Sequence, residues 1–126
     1  MLTGGCYCGN VRYEVTGVPF DSNVCHCIDC RRISGAPMFA WFSVQTPDLR
    51  YVRGEPRRFA SSERAHREFC PDCGTPLTYQ NDETPDEIDV ATCTLDDPGA
   101  VPPDVHIWTR RQVPWIKLAD QLPTHE

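Results

Sequence analysis

The sequence predicts an all-β or β-dominated fold that forms a single domain over residues 1–126. Short runs of alternating apolar and polar residues, such as VRYEV at 11–15, have the two-residue period of strands with one buried face. Turn-forming residues separate these runs, since the chain contains 12 prolines and 8 glycines. Few long stretches have the apolar spacing of a helix, which favours short strands joined by many turns.

Eight short strands are predicted from this alternation and from the turn residues between them. They are residues 11–15, 38–44, 49–54, 57–62, 66–70, 77–81, 87–95 and 106–111. The run MFAWFSV at 38–44 is almost entirely apolar, which predicts a strand that is buried on both faces. Trp41 on this strand and Phe69 are the two aromatic residues that we consider for the wall of a binding pocket.

Charge and hydropathy exclude several kinds of partner. The formal net charge is −6, whereas proteins that bind nucleic acids usually present a basic face to the phosphates. No segment approaches the roughly 18 consecutive apolar residues of a membrane span. The first residues, MLTGGCYCGN, lack the basic start and the apolar run of a signal peptide. We therefore expect a cytoplasmic protein that binds neither nucleic acid nor membranes.

The chain has 8 cysteines, and their spacing is the strongest functional signal in the sequence. Seven of them lie in tight clusters, which are Cys6/Cys8, Cys25/Cys27/Cys30 and Cys70/Cys73, and the eighth is Cys93. Cytosolic thiols are kept reduced, and disulfides usually join distant segments, so a disulfide framework is disfavoured. A thioredoxin-like redox pair is disfavoured because no βαβ pattern surrounds either C-x-x-C motif. Clustered thiols suit a tetrahedral zinc ion, in which neighbouring sulfurs are about 3.8 Å apart.

Two of the clusters are expected to combine into one structural zinc site. Cys6 and Cys8 are followed by glycine in CYCG, and Cys70 and Cys73 are followed by glycine in CPDCG. Glycine can adopt positive φ, which turns the chain back and directs backbone N–H groups at the thiolates. Four thiolates form a closed site of the structural kind, which would tie the amino terminus to the middle of the chain.

The third cluster, CHCIDC at 25–30, offers three thiolates of its own, and catalytic zinc sites commonly have three protein ligands and one open position. Spacing alone does not decide between an open site and one that is closed by Cys93 or His26. Cys93 on a strand is more often a small buried hydrophobe, and His26 alternates with the ligands along the chain. Arg31 and Arg32 follow the cluster, where they could offset its negative charge and hold the carboxylates of an anionic substrate. A helical turn is expected to begin near Cys27.

These motifs resemble the glutathione-dependent formaldehyde-activating family, which includes centromere protein V. The stretches that carry the resemblance are GGCYCGNVRYE at 4–14, CHCIDCRRISGAP at 25–37, FCPDCGTPL at 69–77, TLDDP at 94–98 and HIWTRRQVPWIKLADQLP at 106–123. They occur in order and extend over almost the whole chain.

The resemblance implies an Mss4-like zinc-binding fold, with short strands and metal knuckles in loops. It also implies two zinc ions per chain, a structural one on Cys6, Cys8, Cys70 and Cys73 and a catalytic one on Cys25, Cys27 and Cys30. Cys93 matches no ligand position of the family, which favours the open site.

The activity that the resemblance implies is that of a carbon–sulfur lyase, namely the addition of glutathione to formaldehyde to give S-hydroxymethylglutathione. The expected partners are therefore a small-molecule thiol and an aldehyde. Arg31 and Arg32 are the candidate substrate-binding residues, and His26, His66 and His106 are equal candidates for a general acid or base. Because a shared fold does not fix a substrate, the alternative is a zinc-stabilised binding module or a glutathione carrier without catalysis.

Overall fold

The computed structural model describes all residues 1–126, and strands dominate it. Ten strands are present: β1 (Leu2–Gly5), β2 (Arg12–Val15), β3 (Phe20–Cys25), β4 (Phe39–Gln45), β5 (Leu49–Arg53), β6 (Arg57–Ala60), β7 (Ala65–Phe69), β8 (Pro76–Asn81), β9 (Glu87–Ala91) and β10 (Val105–Ile107). One α-helix, α1 (Ile28–Ser34), connects β3 to β4, and four short 3₁₀ turns lie in the later connections. None of the helices has the length and apolar character that crossing a bilayer requires.

The strands form two sheets of unequal size. The smaller sheet has the order β1-β2-β5, and the larger has the order β10-β3-β4-β9-β8-β7-β6. All pairs are antiparallel except β10 with β3, which run parallel with Ile107 opposite Cys25. Residues from the far end of the chain therefore support the strand that leads into the CHCIDC cluster.

The larger sheet has a different environment on each face, because successive side chains of a strand point in opposite directions. On one face Phe42 and Val44 of β4 are fully buried in the main core, together with residues of the smaller sheet such as Tyr13. On the other face Trp41 packs in a second cluster with Cys25 and Cys30. The expectation that strand 38–44 is buried on both faces is confirmed.

All eight predicted strands are present to within two residues at most ends, but two of them end four residues earlier than predicted. The strand predicted at 87–95 ends at Ala91, because the chain turns into a 3₁₀ helix in which the hydroxyl of Thr94 donates to the carbonyl of Ala91 at 2.7 Å. The strand predicted at 106–111 ends at Ile107, since Trp108 adopts a left-handed conformation with φ of 57°.

Two strands, β1 and β3, were not predicted from the sequence. β1 has the sequence LTGG, and the central residues of β3 are Asp21, Ser22 and Asn23, so neither run has a regular apolar alternation. β3 forms because β4 and β10 pair with it on both sides, which satisfies its backbone groups. The helical turn that was expected near Cys27 is longer than one turn and extends to Ser34.

Candidate metal centres and binding cavity

The first metal centre brings together the cysteines from both glycine-closed knuckles. The sulfurs of Cys6, Cys8, Cys70 and Cys73 all lie within 4.8 Å of one another. The Cys6–Cys8 sulfur distance is 3.6 Å and the Cys8–Cys70 distance is 3.8 Å, close to the spacing of about 3.8 Å that a tetrahedral zinc–thiolate site requires. All eight cysteines are free thiols rather than disulfides. This donor set fits one metal ion.

Local backbone geometry explains why the two knuckles converge. Gly9 and Gly74 both adopt positive φ, of 80° and 81°, as the sequence predicts for the turn that follows each cysteine pair. The backbone N–H of Val11 donates to the sulfur of Cys6 at 3.3 Å, which would stabilise a thiolate there. Asn10 donates to the carboxylate of Asp72 at 3.1 Å, so the knuckles are also joined by a side-chain hydrogen bond.

The second metal centre contains Cys25, Cys27 and Cys30, whose sulfurs also lie within 4.8 Å of one another. Cys25 ends β3, Cys27 is the N-cap of α1, and Cys30 lies in the first turn of that helix. The sulfur of Cys27 accepts a hydrogen bond from the backbone N–H of Cys30 at 3.3 Å. The indole Nε1–H of Trp41 donates to the sulfur of Cys30 at 3.4 Å, and the Trp41 side chain is buried.

Crowding of the three thiols alters their acidity in a way that suits metal binding. A hydrogen bond from Cys25 lowers the pKa of Cys30 to about 6, and the indole N–H of Trp41 lowers it further. The same interaction with Cys30 raises the pKa of Cys25 far above its ordinary value. The three sulfurs cannot all carry a negative charge this close together without a cation, so a metal ion suits this donor set.

Neither residue that was considered as a fourth ligand reaches the second centre. Cys93 is exposed in the 3₁₀ turn after β9, which corrects the expectation of a buried strand residue, and it belongs to neither thiol cluster. His26 is buried, but its Nε2 lies 2.9 Å from Nδ1 of His106 in a hydrogen bond. The second cluster therefore offers three candidate ligands from this chain.

The three cysteines line a cavity of about 630 Å³. The larger sheet supplies one wall through a row of side chains on neighbouring strands, where Arg67 is opposite Tyr79 and Tyr79 is opposite Asp89. The remaining lining comes from α1, from the β6–β7 turn and from the segment after β10, and includes Ile28, Asp29, Ser61, Ser62, Trp108, Arg110 and Arg111. Such a volume is typical of sites for small organic ligands.

The pocket wall includes one of the two aromatic residues that the sequence suggested. Trp41 lines the cavity, whereas Phe69 lines a neighbouring, smaller depression. Arg31 and Arg32 lie on α1 and are not among the lining residues. The arginines that do line the cavity are Arg67, Arg110 and Arg111, none of which was singled out from the sequence.

Arg67 had a usable sequence signal, because Ala65, Arg67 and Phe69 alternate along the chain and share one face of β7. An arginine between two apolar residues on the same face indicates a guanidinium that points toward the interior. Asp89 also lies in the cavity, where burial raises its pKa to about 6 and a hydrogen bond from Ser43 at 2.6 Å partly opposes that shift.

The three candidate histidines lie outside the lining of the cavity. His66 is hydrogen-bonded to Gln80 at 3.1 Å. His26 and His106 form a buried chain that continues to Asp120, whose carboxylate lies 2.7 Å from Nε2 of His106. Burial lowers the pKa of His26, and the hydrogen bond with His106 lowers the pKa of the Asp120 carboxyl.

The carboxyl-terminal segment holds this histidine chain in place. The backbone N–H of His106 donates to the carbonyl of Pro123 at 2.9 Å, and the N–H of His125 donates to the carbonyl of His106 at 2.8 Å. The segment therefore pairs with β10 like a short additional strand, on the side away from β3. This arrangement fixes His26, and with it the backbone between Cys25 and Cys27.

Comparison with known proteins identifies relatives that match most of the chain. Residues 1–111 match the family model described as glutathione-dependent formaldehyde-activating enzyme. A Halomonas elongata protein named "Putative glutathione-dependent formaldehyde-activating enzyme" is 26% identical over 127 aligned positions, covering 94% of this chain and 81% of that protein. An uncharacterized lyase of Schizosaccharomyces pombe is 31% identical over 84 residues, covering 65% of this chain and 61% of that protein.

A solved structure shares the fold of this chain. The crystal structure of a Rhodobacter sphaeroides protein superposes with a TM-score of 0.65 at 26% identity, and the match covers 97% of this chain and 98% of that one. The family match takes in both thiol clusters and all ten strands. The chain therefore belongs to the glutathione-dependent formaldehyde-activating family.

Proposed function

We propose that this protein is a zinc-dependent enzyme of the carbon–sulfur lyase type, which adds glutathione or a related thiol to formaldehyde or another small aldehyde, or cleaves the adduct. The observation that carries the proposal is the second thiol cluster, which has three protein ligands and lines a cavity of about 630 Å³. Family membership and the names of the relatives support the reaction class.

The proposal assigns two zinc ions to each chain. The ion on Cys6, Cys8, Cys70 and Cys73 would be structural, because four thiolates complete its coordination. The ion on the second cluster would have a coordination position free for substrate. Bound there, zinc supplies a positive charge that lowers the pKa of an incoming thiol and so makes it nucleophilic near neutral pH.

The residues around the second cluster would prepare the site for this chemistry. The N–H groups of Trp41 and of the Cys30 backbone donate to thiolate sulfurs, which keeps these ligands ionised and correctly oriented. The indole of Trp41 and the side chains of Ile28 and Ile107 line the cavity, so they would limit the access of water to the reacting atoms.

The proposed addition is balanced without an oxidant or a reductant. The thiol sulfur forms a bond to the carbonyl carbon, the carbon–oxygen π bond breaks toward oxygen, and the thiol proton ends on that oxygen. The proposed role of Arg31 and Arg32 in carboxylate binding stays a prediction, and their position outside the cavity lining does not favour it. The cytoplasm is the proposed location, because free thiol ligands require a reducing compartment.

The direct test is to measure the rate at which zinc-loaded protein equilibrates glutathione and formaldehyde with their adduct, by exchange NMR, against the spontaneous rate. Cys27→Ser should abolish any acceleration, because it removes a ligand of the second cluster. Cys93→Ser is the matched control, since Cys93 is exposed and outside both clusters. Absence of acceleration by the wild type would refute the enzyme proposal, and saturable glutathione binding without acceleration would instead identify a carrier.

A further inference from the structure

Arg67 is a buried cation without a hydrogen-bonded anionic partner, although its charge helps to lower the pKa of Cys30. Only 7% of the residue is exposed, and none of the ion pairs in the chain includes it. Its Nη1 is buried and has no hydrogen-bond partner. Buried charges in proteins are normally paired, because removing a guanidinium from water carries a large cost in free energy. A buried guanidinium whose N–H donor has no acceptor in the chain therefore indicates an acceptor that comes from outside it.

Aromatic contacts hold the Arg67 side chain but do not satisfy its donors. The guanidinium carbon lies 4.8 Å from the ring centroid of Tyr79 and 5.9 Å from that of Trp41. Such cation–π contacts hold the side chain in position. The N–H groups in the plane of the guanidinium remain free to donate, and their fork geometry matches the two oxygens of a carboxylate.

The free guanidinium and the second metal centre face the same cavity. Arg67 lines this cavity together with Cys25, Cys27 and Cys30. Trp41 lies between the guanidinium and the thiols, because its indole N–H donates to the Cys30 sulfur while its ring contacts Arg67. Formaldehyde has no charged group, so an anion bound at Arg67 would have to belong to the thiol. The cavity volume of about 630 Å³ suits a ligand of peptide size.

We propose that Arg67 binds a carboxylate of the thiol substrate, so that the second metal centre selects acidic thiols over neutral ones. This inference rests on the proposed function for the identity of the thiol-binding site, but it concerns binding rather than turnover. Arg67 is thus a specificity-determining residue. It would hold one end of the thiol substrate while the sulfur is at the metal ion.

The test uses two thiols that differ only in the carboxylate, N-acetylcysteine and N-acetylcysteamine. Their affinities are measured for cobalt-substituted full-length protein from the change in the visible spectrum. Because a hydrogen-bonded charge pair at a buried site is worth about one to two orders of magnitude in affinity, the wild type should prefer N-acetylcysteine by ~10- to 100-fold. Arg67→Met should remove that preference and leave N-acetylcysteamine binding within about twofold of wild type.

Two further variants complete the design. Arg57→Met is the matched control, because Arg57 is exposed on the neighbouring strand β6 and does not line the cavity, so the preference should persist. Arg67→Lys keeps the charge but loses the fork geometry, and it should lower the preference several-fold. This variant provides the test if Arg67→Met does not fold, and a lysine variant with the full wild-type preference would then overturn the inference.

The outcomes separate this inference from the proposed function. A wild type without preference, or an Arg67→Met variant that weakens both thiols equally, overturns the role of Arg67 while leaving the aldehyde reaction open to its own assay. A carboxylate preference that depends on Arg67 supports the inference even in a protein that does not accelerate adduct formation.

Discussion

The hydrogen bond from Trp41 to Cys30 allows a quantitative prediction about metal affinity at the second centre. Trp41→Phe keeps an aromatic ring but removes the Nε1–H donor that lies 3.4 Å from the Cys30 sulfur. A hydrogen bond to a charged acceptor contributes about 1.5–3 kcal/mol, and each 1.4 kcal/mol corresponds to about tenfold in affinity. The Kd for zinc at this centre should therefore rise by ~10- to 100-fold.

The assay is competition for zinc with a chelator of known affinity, which should resolve the two proposed zinc ions of each chain as separate steps. Cys27→Ser assigns the step that belongs to the second centre, because it removes one of the three ligands there. The affinity of the first centre serves as an internal reference. Trp115→Phe is the matched control, since Trp115 is 68% exposed and should leave both steps unchanged.

Two results would contradict this reasoning. An unchanged affinity at the second centre would mean that the indole N–H does not stabilise the thiolate. An equal loss at both centres would mean that the substitution weakens the fold as a whole through poorer packing, since Trp41 is buried in the cluster with Cys25 and Cys30.

The remaining predictions concern stability. Cys6→Ser should abolish cooperative folding, whereas Cys25→Ser should leave a folded protein, because only the first centre joins distant parts of the chain. Thermal unfolding of the two variants measures this difference. Gly4→Ala should lower the free energy of unfolding by at least ~1–3 kcal/mol in urea, because an added Cβ would lie 2.5 Å from the carbonyl oxygen of Thr94. Asp89→Asn should change the pH dependence of stability. Burial raises the pKa of Asp89 in the folded protein to about 6, so its protonated form stabilises the wild type at low pH. This contribution is lost as the pH rises from about 4 to 6, and the variant lacks it.

Each of these predictions has a control or a contradicting result. Unfolding of Cys25→Ser at the same temperature as Cys6→Ser would argue against separate structural and functional centres. For Gly4→Ala the control is Gly99→Ala, because Gly99 is exposed. A Cβ added at Gly99 would have the side chain of Asp97 as its nearest neighbour, at 3.2 Å. If the stability difference between wild type and Asp89→Asn is constant across pH 4–6, Asp89 does not titrate as described.

The sequence predicted the strands whose pattern is local, and it missed features that depend on interactions with other parts of the chain. Strands with their own apolar alternation, such as 87–91, were found because the pattern is local. β3 was missed because its residues Asp21, Ser22 and Asn23 are polar, and its stability comes from pairing with β4 and with the distant β10. The end of β9 was misplaced because a hydrogen bond from Thr94 to Ala91 starts a 3₁₀ turn within an apparently continuous strand pattern.

The metal ligands could be predicted from spacing, whereas the cavity could not. A thiol cluster has a characteristic separation along the chain, so both groups of cysteines could be predicted, and the fold brings the sulfurs of each group together. The arginine facing the cavity is 37 residues after Cys30 in the numbering, and only the pairing of β7, β8 and β9 brings Arg67 into line with Tyr79 and Asp89. The adjacent Arg31 was the more obvious candidate, but α1 carries it outside the cavity lining.

The two metal centres differ in how far apart their ligands are along the chain, and this affects when each can capture an ion. Cys25, Cys27 and Cys30 are close enough to chelate a metal in a newly synthesised or denatured polypeptide. Cys8 and Cys70 are 62 positions apart, so the four-thiolate centre requires closure of a long loop and exists only in the folded protein. An ion that also binds the denatured chain stabilises the native state less. Zinc limitation should therefore impair folding at the four-thiolate centre first, while the centre of Cys25, Cys27 and Cys30 retains the metal.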